Sequence, residues 1–215
     1  MATGGTLGLL LGSVIGLLLG SVLPADLLAR RRGIDIRCVG DGNPGTVNAI
    51  RELGWSPGLM TGAYDVIVGV AAIRIALFLG MSEGAAYLAG IMTVVGHRFP
   101  VFTGFRGGGQ GMAASAGLLA YGIGVALSSG WLSAAGLGVL VAILVVTFAV
   151  TRSDEAASLV MLPVLVALLL AAHTEWRFLA FMGVVSAYIW IVQAATIWHH
   201  TRSFAIRPMR GQSHR

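Results

Sequence analysis

A series of seven long apolar runs, separated by short polar segments, constrains this chain more than any other feature. A helix needs about 20 apolar residues to cross the hydrocarbon core of a bilayer, and somewhat fewer where it is short or packed. The runs cover residues 6–29, 58–80, 84–97, 113–130, 133–150, 157–172 and 177–198. Charged residues make up 11% of the chain, against about 25% in a soluble domain, so a soluble globule would lack the charge to cover its surface. The sequence therefore predicts an all-α integral membrane bundle of seven transmembrane helices.

The arginines predict how this bundle is oriented. All but two of the 14 arginines lie in segments 30–57 and 96–112, the turn 151–157 and the tail 199–215. Positively charged loops stay in the cytoplasm, so the N-terminus is expected outside and the C-terminus in the cytoplasm. The predicted organisation is one transmembrane domain, 1–198, with three cytoplasmic loops and a basic tail.

The first apolar run has two features that bear on processing and assembly. No positive charge precedes it and an arginine cluster follows it, an arrangement typical of a retained helix rather than a cleaved signal peptide. It carries Gly8, Gly12, Gly16 and Gly20 at four-residue spacing, a face that lets another helix backbone approach closely. Packing within the bundle is favoured over dimerisation, and a monomer is the expected state.

Several classes of chemistry are excluded by the residues available. The chain has no lysine, which excludes a Schiff base or a Walker-type phosphate lysine. Cys38 is the one cysteine, so neither an intramolecular disulfide nor a CxxC motif can form. His199 and His200 are adjacent, point to different helix faces and lack further ligands. We expect no metal, no cofactor and no nucleic-acid partner.

Segment 30–57 is longer than a tether between two helices needs to be. Its glycines and polar residues are Asp35, Arg37, Gly40, Gly42, Asn43, Gly45, Asn48 and Arg51. The spacing of its glycines matches a dinucleotide fingerprint formally, but no strand precedes it and Pro44 lies inside it, so we reject that interpretation. A positive connector touching anionic lipid is the simpler alternative, and charge alone does not explain the glycines and asparagines. Arginine forks and glycine backbone favour a phosphate ligand.

Segment 96–112 ends in a glycine-rich turn. Gly107, Gly108, Gly109 and Gly111 follow Arg106 and lead into the fourth run. A glycine turn at a helix N-terminus is a natural anion site, because free N–H groups and the helix dipole point at the ligand. His97, in the same segment, is interpreted either as a proton carrier or as a structural hydrogen-bond partner.

Two further polar positions belong to the predicted site. Asp65 lies inside the second run, where a carboxylate is costly, so it should face the bundle and pair with an arginine or a backbone donor. Arg152 and Ser158 flank the third cytoplasmic turn, which taken alone is a simple polar turn. The three segments should converge on an anionic, phosphorylated substrate at the cytoplasmic interface.

The first two segments carry motifs that resemble one family. Residues 35–54, from Asp35-Ile-Arg37 through Gly40-Asp-Gly42-Asn43-Pro-Gly45 to Asn48 and Arg51, resemble the first motif of the PlsY family of acyl-phosphate–glycerol-3-phosphate acyltransferases. Residues 96–111 resemble its second motif, and Thr151-Arg152 with Ser158 is a weak echo of its third. Asp65 matches an acid that the family carries in its second span.

The resemblance implies a bacterial plasma-membrane enzyme of phospholipid synthesis that uses no metal or cofactor. It would move a fatty acyl group from acyl phosphate to glycerol 3-phosphate, giving lysophosphatidic acid, with membrane lipids as its surroundings. We assign catalysis to His97, Asn48 and Arg51. We assign substrate binding to Arg37, Gly42, Asn43, Gly45, Asp65, Arg106, Gly107, Gly108, Gly111, Arg152 and Ser158.

The chain departs from the family's usual residues at Asp41, Val68, Gln110 and Glu155. The family usually has serine where Asp41 and Glu155 stand, and lysine where Val68 and Gln110 stand. The loss of two lysines and two serines and the gain of two acids leave a second interpretation open. In that interpretation the protein is a non-catalytic or altered-acceptor homologue that binds lipid. A small transporter is a weaker third interpretation, because the deep charges Asp65 and Arg74 lie on one helix and no discontinuous helix pair stands out.

Overall fold

The computed structural model describes residues 5–205, and the regular elements of that part are all helices. The nine α-helices in this range are α1 Thr6–Gly20, α2 Pro24–Arg30, α3 Thr46–Leu53, α4 Trp55–Phe78, α5 Glu83–Arg98, α6 Met112–Ser128, α7 Ala134–Thr151, α8 Asp154–Ala171 and α9 Trp176–Ala205. Two short 3₁₀ turns, Ile36–Cys38 and Val101–Thr103, lie in the segments before α3 and α6.

Six segments of the described chain are long and apolar enough to cross a membrane. They are Thr6–Arg30, Trp55–Phe78, Glu83–Thr103, Ala134–Thr151, Asp154–Ala171 and Trp176–Trp198. Helix α6 is also apolar but has 17 residues. Each of the seven predicted runs therefore contains a helix, the regular elements of residues 5–205 are all helical, and the protein is a multi-pass membrane protein.

The two ends of the predicted transmembrane domain differ in detail from the apolar runs. The first run is divided, because α1 ends at Gly20 and α2 begins at Pro24, whose fixed φ suits the first turn of a helix. At the other end, α9 continues to Ala205, so the predicted tail 199–215 begins within a helix. Residues 206–215 of that tail lie outside the described part of the chain.

The glycine stripe of α1 packs inside the molecule, against α5. Side chains at Gly12, Gly16 and Gly20 would overlap the backbone carbonyl oxygens of Ala85, Ala89 and Thr93 on α5. The two helix backbones therefore approach as closely as small residues allow. Because α5 ends at Arg98, this contact fixes the position of the segment that follows it.

The remaining helices complete the bundle around α5. Helix α5 packs on α1, α4, α6 and α9, and the largest buried apolar cluster lies among these helices. Helix α7 packs on α8, and Leu140 is its one buried residue. Arg74, near the end of α4 away from the polar loops, is exposed on the bundle surface. A position near a helix end allows an arginine to reach the membrane interface.

Candidate active site

Segment 30–57 folds as a small unit and not as a loose connector. A second apolar cluster, of Ala25, Ala29, Ile36, Ala49 and Leu53, lies between α2, the first 3₁₀ turn and α3. Burying these side chains fixes the path of the backbone between the two helices. The segment is therefore an ordered unit, and its contact with anionic lipid stays a prediction.

Asn48 lies at the centre of this unit and is fully buried. Its Nδ2 donates to the carbonyl oxygens of Ile36 and Val39, at 3.3 and 3.1 Å, and its Oδ1 accepts from the backbone N–H of Asp41 at 3.2 Å. A side chain on Gly40, where φ is +60°, would overlap Oδ1 of Asn48. Asn48 thus shapes the 36–41 backbone, and its assigned catalytic role stays a prediction.

Arg37 ties this unit to the glycine turn. Its Nη1 lies 2.6 Å from Oδ1 of the buried Asp26, which also pairs with Arg30 at 3.0 Å. Its Nε donates to the carbonyl oxygen of Gly107 at 2.8 Å. A side chain on Gly107 would overlap the guanidinium. The side chain of Arg37, in the first motif, therefore holds Gly107 of the second motif in place.

The glycine turn, residues 107–111, folds back on the end of α5. The N–H of Gly109 donates to the carbonyl oxygen of His97 at 3.0 Å. A side chain on Gly108 would overlap the carbonyl oxygens of Arg98 and His97, and a side chain on Gly109 would overlap the imidazole Nε2 of His97. Gly111, with φ of +69°, is the N-cap of α6. The absence of side chains is thus what lets the turn lie against His97.

Two side chains from elsewhere hold the backbone of Gln110. Oδ1 of Asn43 accepts from the N–H of Gln110 at 3.2 Å, which joins the first motif to the turn a second time. The hydroxyl of Tyr188, on α9, donates to the carbonyl oxygen of Gln110 at 2.6 Å. Tyr188 carries no sequence signal as a site residue, because it lies within an apolar run.

Asp65 faces the bundle as expected, but its partner is a histidine and not an arginine. Oδ1 of Asp65 lies 3.7 Å from Nδ1 of His97, and both side chains are buried. The prediction of an arginine or backbone partner is therefore wrong. The two residues lie on α4 and α5, which pack together, and no motif in either helix indicates that pair.

The remaining predicted residues lie at the rim or outside this cluster. The side chain of Arg51 is 58% exposed, and its Nη1 lies 3.9 Å from Oδ2 of Asp41. Arg106 is exposed beside the turn. Gly42 has φ of +72°, and Gly45 precedes α3 as its N-cap.

The third segment stands apart from the other two. Arg152 caps α7 with φ of +56°, and Ser158 donates to the carbonyl oxygen of Glu155 at 2.9 Å. Within residues 5–205, no hydrogen bond or ion pair joins Arg152 or Ser158 to the first two segments. The structure thus brings two of the three predicted segments together.

Sequence reasoning missed two residues of the cluster, Asp26 and Tyr188, and it missed the contact between Asp65 and His97. Asp26 had one available signal, its four-residue spacing from Arg30, which favours a pair on one helix face. The assembled site is a polar cluster of arginine, asparagine, histidine and glycine backbone at one end of an apolar bundle. This is the form expected of a membrane protein that handles an anionic ligand at the interface.

The sequence matches a family described as glycerol-3-phosphate acyltransferase over residues 10–206. The chain belongs to this family. One relative, glycerol-3-phosphate acyltransferase 1 of Deinococcus radiodurans, is 47% identical over 43% of this chain and 46% of that protein. Another, from Thermus thermophilus, is 43% identical over 46% of this chain and 50% of that protein. The chain spans about half the length of these curated relatives.

Solved structures match over a longer stretch. The glycerol 3-phosphate form of PlsY (YgiH), an integral membrane glycerol 3-phosphate acyltransferase, aligns with a TM-score of 0.67 at 26% identity. The match covers 91% of this chain and 92% of that one. The lysophosphatidic acid form of the same enzyme aligns with a TM-score of 0.65.

Proposed function

We propose that this protein is a plasma-membrane enzyme of bacterial phospholipid synthesis. It transfers a fatty acyl group from acyl phosphate to the 1-hydroxyl of glycerol 3-phosphate, giving lysophosphatidic acid and inorganic phosphate. The observation that carries the proposal is the Arg37 bridge, which closes the first motif on the glycine turn directly above His97. Membership of the family supports the choice of substrates.

The geometry divides the predicted binding residues into two groups. Arg37 is already paired with Asp26 and hydrogen-bonded to Gly107, so we assign it to positioning the turn. Arg51 and Arg106 are exposed at the rim, and we assign them to the phosphate groups of the substrates. Guanidinium forks bind phosphate oxygens in pairs, and the N-terminus of α6 adds backbone donors.

Catalysis in this arrangement rests on placement and charge. The acceptor hydroxyl attacks the acyl carbonyl, the carbon–oxygen bond to phosphate breaks, and the hydroxyl proton leaves with the phosphate product. Rim arginines and the N–H groups at the N-terminus of α6 stabilise the charge on the carbonyl oxygen and the departing phosphate. His97 is the group beneath the turn that can hydrogen-bond the acceptor hydroxyl.

The experiment that tests this function uses purified protein and a panel of donors and acceptors. Transfer is expected from acyl phosphate, and not from acyl-coenzyme A, to glycerol 3-phosphate. Glycerol, which lacks the phosphate, should be a poor acceptor. Transfer to another phosphorylated polyol in preference to glycerol 3-phosphate would support the altered-acceptor interpretation. Absence of transfer to every acceptor by folded protein would support the non-catalytic one.

Replacing Arg51 with alanine should raise the KM for glycerol 3-phosphate or acyl phosphate by about tenfold to a hundredfold. A hydrogen bond to a charged partner contributes roughly 1.5–3 kcal/mol. The matched control is Arg31→Ala, since Arg31 is an exposed arginine of the same segment. Steady-state kinetics check the result, and equal KM values for the two variants would remove Arg51 from the binding site.

We further propose seven membrane crossings, with the N-terminus outside and the C-terminus in the cytoplasm. The proposal is supported by which loops and helix ends lie together at each end of the bundle. Arg37 and the glycine turn meet at one end. A cavity of about 440 Å³ marks the other end of the bundle. It is lined by Leu9 near the start of α1, Ser82 in the turn before α5 and Trp176 at the start of α9. Helix α6 must then cross despite its length.

Reporter fusions test this topology. Reporters within residues 30–57 and after residue 215 should be active in the cytoplasm, and those at 81–83 and 131–132 outside. The reason is the retention of arginine-rich segments on the cytoplasmic side. A reporter after residue 215 that is active outside the cell would contradict the seven crossings.

A further inference from the structure

A carboxylate and an imidazole lie buried together beneath the glycine turn. The side chains of Asp65 and His97 are 2% and 3% exposed, and their Oδ1 and Nδ1 atoms are 3.7 Å apart. Oδ1 of Asp65 has no hydrogen-bond partner within residues 5–205. A buried carboxylate is costly unless a partner compensates it. An acid retained at this depth therefore indicates a specific use.

The packing of three helices brings the two residues together. Gly69 lies one turn after Asp65 on α4, and Thr93 lies one turn before His97 on α5. A side chain on Gly69 would lie 2.7 Å from a methyl carbon of Leu118, on α6, and 3.2 Å from Oγ1 of Thr93. The small residue thus allows α4, α5 and α6 to meet just below the pair.

Other buried polar groups on these helices do not compete for the carboxylate. The hydroxyls of Thr61, Thr93 and Ser115 donate to the carbonyl oxygens of Pro57, Gly90 and Gly111, at 2.9, 2.6 and 2.9 Å. Each hydroxyl proton is therefore already donated to a carbonyl oxygen in the same helix or, for Ser115, to the N-cap residue of that helix. The imidazole of His97 is the donor left within ion-pair distance of Asp65.

The opposite edge of the imidazole faces the site. A side chain on Gly109 would overlap Nε2 of His97 and lie 3.3 Å from Oδ1 of Asn43. Nε2 is therefore next to the point where the first motif meets the glycine turn. The ring has Asp65 on its Nδ1 side and the proposed acceptor site on its Nε2 side.

We propose that Asp65 is a positioning residue that fixes the tautomer and orientation of His97. Its carboxylate accepts the Nδ1–H, which leaves Nε2 unprotonated and able to accept a hydrogen bond from the substrate hydroxyl. Binding of substrate beside Nε2 shortens the 3.7 Å separation to a hydrogen bond, since the hydrogen bonds of catalytic groups commonly tighten in the substrate complex. This inference rests on the proposed acyl transfer and replaces the direct substrate-binding role first assigned to Asp65.

Kinetics of Asp65→Asn and His97→Gln test the proposal. Each variant should lower kcat by about 100-fold with the KM for glycerol 3-phosphate changed less than about threefold, because the contact acts on the reacting hydroxyl. The double variant should be no slower than His97→Gln alone, since Asp65 acts through that ring. Thr61→Val, which removes a buried polar atom one turn from Asp65, is the control and should keep wild-type kcat. Independent, multiplicative losses in the double variant would overturn the proposal.

A second readout does not depend on acyl transfer. Histidine-selective ¹⁵N spectra report which ring nitrogen carries the proton, and the spectrum of His97→Gln identifies the His97 signals. With glycerol 3-phosphate present, the wild-type protein should show the Nδ1–H form at His97, and Asp65→Asn should lose it. An Nε2–H tautomer in the wild-type protein would overturn the proposal even if acyl transfer is confirmed. The Nδ1–H form in a protein without acyl transfer would uphold the pair while refuting the proposed function.

Discussion

Replacing Arg37 with alanine is expected to lower acyl transfer by about 100-fold and to destabilise the protein by about 3 kcal/mol. The activity falls because Gly107 loses its anchor, and a displacement of about 1 Å in a catalytic group can cost 100-fold. The stability falls because Asp26, which is 4% exposed, keeps only its pair with the exposed Arg30. Breaking a buried ion pair costs roughly 3–5 kcal/mol, and the partial exposure of Arg37 places this pair at the low end.

A second substitution separates these two effects. Adding Asp26→Asn to Arg37→Ala removes the unpaired carboxylate and should restore most of the melting temperature without restoring transfer. Arg31→Ala should change neither property. If the double variant regains activity together with stability, the bond from Arg37 to Gly107 does not position the turn.

Replacing Gly20 with valine should destabilise the protein by about 3 kcal/mol, the upper end of the usual cost of overpacking. A side chain there would overlap the backbone of Thr93, and backbone cannot move aside as a flexible side chain can. Helices α1 and α5 must then separate along the stripe they share. Thermal melting in detergent measures the effect.

The control for this variant is Gly138→Ala on α7, where a side chain would meet open space. That change should leave the melting temperature unaltered or slightly raised, because alanine favours helix more than glycine does. The result also tests the dimer interpretation of the stripe. A Gly20→Val protein that dissociates from a dimer but melts like the wild-type protein would show that α1 packs on another copy.

The fold could be predicted from the sequence because the membrane allows few solutions. With no water to satisfy backbone groups, an apolar run of sufficient length must form a helix. Run 58–80 corresponds to α4, Trp55–Phe78, and run 84–97 to α5, Glu83–Arg98. The division of run 6–29 into two helices was indicated only by Pro24, which the length of the run obscured.

The site could be predicted only in part, because its partners come from distant helices. Glycine and arginine spacing identified the two segments that meet through Arg37 and Gly107. The same reasoning gave Asp65 the wrong partner. Which faces of α4 and α5 meet depends on small residues such as Gly69, and no local pattern in the sequence encodes that contact.

The structure also explains two of the departures from the family's usual residues. Val68, which stands at a lysine position, is 4% exposed within the apolar cluster of the bundle, where an unpaired lysine would be costly. Oδ2 of Asp41 lies 3.9 Å from Nη1 of Arg51 at the rim, so the carboxylate that replaces the family's serine faces a positive group. Nothing in the structure explains Gln110 in place of lysine.

Acyl transfer by this protein is tested most simply through the stoichiometry of its two products. Purified protein is incubated with acyl phosphate and labelled glycerol 3-phosphate, and lysophosphatidic acid and inorganic phosphate are followed together. Equal amounts of both are expected from the wild-type protein and from Arg31→Ala, with little of either from Arg37→Ala. Phosphate release without lysophosphatidic acid, or neither product from protein that melts cooperatively, would contradict the proposed acyl transfer.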